Sequence, residues 1–173
     1  GCGSPLMGEV SQSNATLVDA LEAAGAVVVG KTETTEFAAL HPSRTKNPHS
    51  LEHSPGGSSS GSAAAVASGD VPVAIGSQTN GSTIRPASYC GVYAMKPSAG
   101  IIPRVGVFEQ SPTLDQMGIF AGSLEDIGLV VDTLSVHDSR DPQSIAAPRP
   151  ACFEGVMADP PMEPDFAIMT LPY

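Results

Sequence analysis

Gly56-Gly57-Ser58-Ser59-Ser60-Gly61-Ser62 runs directly into Ala63-Ala64-Ala65-Val66-Ala67 and then, past Gly69-Asp70, into Val71-Pro72-Val73-Ala74-Ile75. Alone, such a Gly/Ser run reads as a flexible linker. Its flanks argue otherwise. Pro55 stiffens the entry, and a linker has no reason to feed a compact Ala-rich helix that must pack closely against a neighbour. A Ser-rich turn at the start of a buried helix instead presents hydroxyls and free backbone N–H groups to a cleft. The helix is expected from residue 62, a strand over 71–75 with Pro72 near its start, and a Gly/Ser/Asn-rich turn over 76–82. Helix followed by strand predicts an α/β layout.

The next stretch, Thr79-Asn80-Gly81-Ser82-Thr83-Ile84-Arg85-Pro86, sets a serine among consecutive backbone amides directly after that strand. Acyl transfer needs this arrangement: a nucleophile at a tight turn, with N–H donors aimed at the oxygen that becomes negative. Asn80-Gly81 reads equally well as a tight turn joining two strands. Local evidence leaves the two readings level.

Working outward, Asn14 is a candidate N-cap for a helix with Leu17, Leu21 and Ala24 on one face, ending at Gly25. Ala26-Val27-Val28-Val29 reads as a short buried strand closed by Gly30. Residues 41–62 and 97–118 read as irregular. Ser123 caps a helix, with Asp126 as a weaker capping-box partner and Ile127, Val130, Val131 and Leu134 on its apolar face. Residues 138–164 are Pro-rich and polar, a surface excursion, and Phe166 to Met169 begins a further strand. The organisation expected is a core over 1–137, the excursion over 138–164, and the start of another strand of the same domain over 165–173.

Composition narrows the class. The 173 residues fit one domain, with 41% hydrophobic and 15% charged side chains. A net charge of −10 argues against nucleic acid or an anionic membrane as partner, and no apolar run is long enough for a span. Cys2, Cys90 and Cys152 are odd in number and widely spaced, so neither a disulfide framework nor a structural zinc site is expected. Idle thiols fit a reducing cytoplasm.

Taken together, GGSSSGSAAAVASG, a strand, GSQTNGSTIRPASYCG and KPS resemble the amidase signature family, serine hydrolases that cleave amide bonds with a Ser–cis-Ser–Lys triad. The resemblance extends to GKTETTEF at 30–37 and LDQMG at 114–118. In the family the auxiliary serine follows paired glycines and the nucleophile lies 24 positions later, the separation of Ser58 and Ser82. The resemblance implies Ser82 as nucleophile and Ser58, on a cis peptide after Gly57, as its proton relay. It implies an oxyanion hole from the amides of Thr79, Asn80, Gly81 and Ser82, with Gly57, Ser59 and Arg85 in support. The implied fold is a mixed central β-sheet flanked by α-helices, here partial. The implied activity is hydrolysis of carbon–nitrogen amide bonds through an acyl-serine, on a small-molecule amide, with no cofactor and no metal; it allows a homodimer.

Departures from the family pattern shape the expectation. The catalytic lysine lies well before the auxiliary serine, and counting back from Ser58 passes Gly1, so the stretch is expected to lack both the lysine segment and the C-terminal half. Lys31 and Lys96 match non-catalytic positions. An inactive or binding remnant, and an amidotransferase A-type subunit, are the alternatives. Asn80 replaces a usual glycine, acceptable at positive φ, and Gln78 stands where many members carry Asp. His41, His49, His53 and His137 have no partner at triad spacing and are assigned to loop packing or substrate-edge contact, and Asp115 to structure.

Overall fold

The computed structural model describes residues 1–8 and 11–168. Its helices are α1 (Thr16–Ala23), α2 (Ser60–Ala67), α3 (Ile84–Cys90), α4 (Leu124–Leu134) and α5 (Cys152–Met157), with a 3-10 turn at Glu36–Ala38. The strands are β1 (Val73–Gln78), β2 (Tyr93–Met95) and β3 (Gln116–Ala121). They pair in the order β1-β3-β2, and both pairings are antiparallel.

All six residues of β3 are buried, so this central strand is covered on both faces. Successive side chains of a strand point to opposite faces. Accordingly Met117, Ile119 and Ala121 pack with Leu17 of α1 and with Ile127, Val130, Val131 and Leu134 of α4. Phe120 points the other way, into Ala63 and Val66 of α2 and Ala87 and Cys90 of α3. A helix-flanked sheet of the expected α/β class results.

The α2/α3 face has a gap in its floor. Gly76 of β1 pairs with Gly118 of β3. A Cβ on Gly76 would sit 2.5 Å from Ser59 Oγ, and one on Gly118 would collide with the Thr83 side chain, 2.6 Å from its Cγ2. Two glycines side by side therefore clear the sheet surface for Ser59 and Thr83. This explains why β1 runs on through Gly76 to Gln78 and why β3 begins at Gln116, although both positions read as turn or loop. Thr83 is fully buried and its hydroxyl has no hydrogen-bond partner among the described residues. An unmet buried hydroxyl costs about 1–3 kcal/mol. Thr83→Val is expected to raise the melting temperature, by about 1 kcal/mol of stability; a calorimetric scan showing a lower one would contradict this.

Several expectations need correction. Ala26-Val27-Val28-Val29 is no strand: it pairs with no described strand, and Val27 and Val29 are 83% and 77% exposed. Apolar β-branched residues favour a strand only where a ladder and a covering face exist. Asn14 does not cap α1. Ala15 is the N-cap, and the Asn14 amide donates to the Asp19 and Glu22 carboxylates, while the first helical amide, Thr16 N, is met by Val105 O at 3.1 Å. Gly25, at φ +91, does follow the helix end. The short α3 and β2 add to the elements expected from sequence. Ser123 caps α4 as expected, its Oγ accepting from Asp126 N at 3.1 Å.

The segment after residue 137 is tied to the core. Arg104 pairs with Asp141 at 3.3 Å and also donates its backbone N–H to that carboxylate at 2.8 Å. The Asp132 carboxylate accepts the first amides of α5, and Gly128 lets the Phe153 backbone approach α4. Residues 165–168 lie in no helix or strand, and 169–173 fall outside the described residues. Burial opposes the charge on Asp141, but the Arg104 guanidinium and the Gln143 and Arg104 amides outweigh it and hold the carboxyl below its usual range. A depressed folded value stabilises the fold above the unfolded carboxylate value of about 3.9 and loses that contribution as pH falls through the folded value. Acid unfolding of Asp141→Asn is therefore expected to be less steep below about pH 4 than that of the unaltered protein; identical acid limbs would contradict it.

Candidate active site

Ser58 sits in the turn that enters α2. The Gly57–Ser58 peptide bond is cis. The paired glycines before it are squeezed: a Cβ on Gly56 would lie 2.9 Å from Pro86 Cα, and one on Gly57 2.9 Å from Thr35 Cγ2. The backbone of Ser58 is held through its carbonyl. Its carbonyl accepts from Thr35 N at 3.0 Å, Thr34 Oγ1 at 2.9 Å and Ser60 N at 2.8 Å. The side chain is the opposite case. Ser58 is 3% exposed, and its Oγ has no hydrogen-bond partner among the described residues. Buried hydroxyls are nearly always paired, so this one calls for an explanation.

The other serines of the run are structurally occupied. Ser60 Oγ donates to Gly56 O at 2.7 Å and Ser62 Oγ to Ile75 O at 2.8 Å. Ser59 Oγ bridges the carbonyl and amide of Ser77, both at 3.3 Å. The Ser59 amide donates to Ser82 O at 3.2 Å, which brings the two serine stretches together.

Ser82 is 6% exposed and stands between β1 and α3. Gly81 before it has φ +149, and a Cβ there would fall 2.7 Å from the Arg85 guanidinium. That guanidinium reaches back to Gly57 O at 3.3 Å, so Arg85, in the first turn of α3, joins the Ser82 turn to the cis peptide. The amides of Thr83 and Ile84 donate to Gln78 Oε1 at 2.9 and 3.0 Å. The amides of Asn80, Gly81 and Ser82 donate to no acceptor among the described residues. The turn that holds Ser82 thus keeps consecutive donors unspent. Thr79, at the entry to the turn, donates its hydroxyl to Asp115.

The condition raised for Asn80 does not arise in this turn. Asn80 has no positive φ and is exposed. It needs no left-handed backbone, so an L-residue fits there without strain. In sequence Gln78 stands out only as a departure; its role as acceptor for the two amides after Ser82 depends on a side-chain direction that spacing does not show.

The remaining candidates lie elsewhere. Lys96 Nζ bonds Pro97 O, Lys31 and Lys46 are exposed, and among the described residues no lysine bonds either serine. His49 meets Cys90 O at 2.8 Å and His53 meets Ser50 Oγ at 2.8 Å, both in loop packing. Burial pushes the Cys90 and Cys152 thiols up, with Asp132 adding to the effect at Cys152, which disfavours reactive thiolates. Among the described residues no group of three His, Cys, Asp or Glu could hold a metal, and no helix is long and apolar enough to cross a membrane.

Comparison with known proteins bears on the whole of this region. The family model for amidases matches residues 2–160. The chain is 45% identical over 151 residues to the A-type subunit of the glutamyl-tRNA(Gln) amidotransferase of Methanosarcina mazei, covering 83% of this chain and 32% of that one. The native peptide amidase of Stenotrophomonas maltophilia superposes with a TM-score of 0.74 at 37% identity, over 80% of this chain and 31% of its own. The 6-aminohexanoate cyclic dimer hydrolase gives 0.82 at 33% identity, over 92% and 35%. The chain thus spans about a third of the length of the relatives it matches.

Proposed function

The chain belongs to the amidase family, and on that premise we propose that it carries the serine half of a carbon–nitrogen hydrolase site, with Ser82 as nucleophile and Ser58 as its proton relay. The observation that carries the reading is the Ser58 hydroxyl, buried and without a partner among the described residues while its carbonyl accepts three hydrogen bonds. A hydroxyl kept free in this way is available to a neighbouring hydroxyl and to a base.

Ser82 Oγ attacks the amide carbonyl and forms the C–O bond, while its proton passes to Ser58 Oγ as the Ser58 proton moves to the base. A serine hydroxyl is barely ionised at neutral pH, so this transfer is needed. The carbonyl oxygen, now negative, is met by the turn amides of Thr79, Asn80, Gly81 and Ser82, where one preorganised donor contributes about 2.7–4 kcal/mol. Collapse breaks the C–N bond, and the amine leaves with a proton returned through Ser58. Water then attacks the acyl-serine and releases the acid. The base is assigned to the lysine that the family places upstream of the auxiliary serine, since Lys31, Lys46 and Lys96 do not bond Ser58.

The substrate on this reading is a small-molecule amide. A second reading, an amidotransferase component in which the released amine is transferred, has in its favour the 45% identity to the Methanosarcina mazei protein. Both use the same acyl-serine. The free thiols Cys2, Cys90 and Cys152 fit a reducing compartment, the cytoplasm. Incubating the full-length protein with a primary amide and hydroxylamine tests the shared step: an acyl-serine is intercepted as a hydroxamate. Amide turnover with no hydroxamate, at any hydroxylamine concentration, contradicts the intermediate.

A further inference from the structure

We infer that Asp115 is a positioning residue of this site, acting through the Thr79 hydroxyl to set the entry of the Ser82 turn; the inference rests on the reading of Ser82 as nucleophile. Asp115 is 9% exposed and carries a carboxylate into the protein next to the sheet. One oxygen accepts from Thr79 Oγ1, and the other from Gln110 N at 2.6 Å and Ser111 N at 2.8 Å. The adjacent Arg104 forms no ion pair with it. That guanidinium is paired with Asp141 and reaches only the backbone carbonyl of Asp115, at 3.3 Å. Burying a carboxylate against neutral donors alone is costly, and mere loop closure could be served by a neutral side chain.

What the charge supplies is a strong, directional acceptor for one hydroxyl. Thr79 Oγ1 has a single proton and two acceptors in reach, Asp115 and Gln110 Oε1 at 2.8 Å. The carboxylate is the stronger acceptor and takes it. The turn around Ser82 then has an anchor at each end. Gln78 holds its exit through the Thr83 and Ile84 amides, and Asp115 holds its entry through Thr79. Between the anchors lie the unspent amides of Asn80, Gly81 and Ser82. With the entry anchor lost, the Thr79–Asn80 peptide is free to rotate and the first of these donors leaves its aim. Asp115 touches no reacting atom. Its effect falls on the transition state, where the donors act, and not on substrate binding.

The test uses the full-length protein and measures both the rate at which a small fluorophosphonate labels Ser82 and the kcat and KM for a primary amide. Thr79→Val, which keeps the shape and removes the hydroxyl, and Asp115→Asn are each expected to lower kcat and the labelling rate about 100-fold with KM unchanged, the effect of a displacement of about 1 Å. Thr79→Ser is expected to restore both. The double variant should be no slower than the slower single, because the two residues act as one unit. If Asp115→Asn does not fold, Thr79→Val and its rescue by serine decide alone. Ser82 that labels normally in Thr79→Val, a rise in KM alone, or additive losses in the double variant overturn the inference. Failure of Ser82 to label in the unaltered protein removes the underlying reading and the inference with it.

Discussion

Replacing Ser82 by alanine is expected to lower amide turnover by the full-length protein about a millionfold, the scale of nucleophile loss in serine hydrolases. The substitution removes the only atom proposed to form the acyl bond. It leaves the backbone amides of Asn80, Gly81 and Ser82 in place, so a residual acceleration of about a thousandfold over water should survive from oxyanion stabilisation and binding. The fold should be indifferent. The Ser82 contact that ties the two serine stretches uses its carbonyl, at 3.2 Å from Ser59 N, and alanine keeps it. A variant that melts like the unaltered protein yet retains more than a few per cent of its turnover would remove Ser82 from the mechanism.

Ser58→Ala is expected to reduce kcat by about 10²–10⁴, the range of general acid–base contributions, without destabilising the protein. The reason lies in the contrast between its backbone and its side chain. The carbonyl contacts to Thr35, Thr34 and Ser60 survive in alanine, and the Oγ that is lost has no partner to strand. Deleting an unsatisfied buried hydroxyl is neutral or stabilising. A serine kept for structure would show the reverse, a lower melting temperature with turnover intact. Ser60→Ala provides the comparison, since its hydroxyl holds Gly56 O at 2.7 Å.

The parts of the molecule that are legible in sequence share a feature: their signals are local. The Ala-rich α2, the Ser123 cap and the apolar face of α4 can each be read within a few turns of chain, whereas Ser58 and Ser82 are linked only by a family pattern that spans both stretches. What sequence does not reveal depends on partners far away. Val27-Val28-Val29 has the residue preferences of a strand but no described strand beside it. Gln116-Met117-Gly118 reads as loop because its glycine is there for Thr83, 35 positions earlier. Asp115 and Gln78 acquire their roles only when the ladder between β1 and β3 brings Gln78 opposite Gln116. The fit of Asn80 does not turn on a left-handed backbone, because it adopts none.

The most direct measurement is peptide mapping by mass spectrometry after a fluorophosphonate reacts with the full-length protein. A serine nucleophile served by a relay and flanked by free amides should be phosphonylated, and the adduct should lie on Ser82 alone. Labelling is expected to vanish in Ser82→Ala and to slow in Ser58→Ala. An adduct on Ser58 or on any other residue, or labelling that persists in Ser82→Ala, would contradict the account.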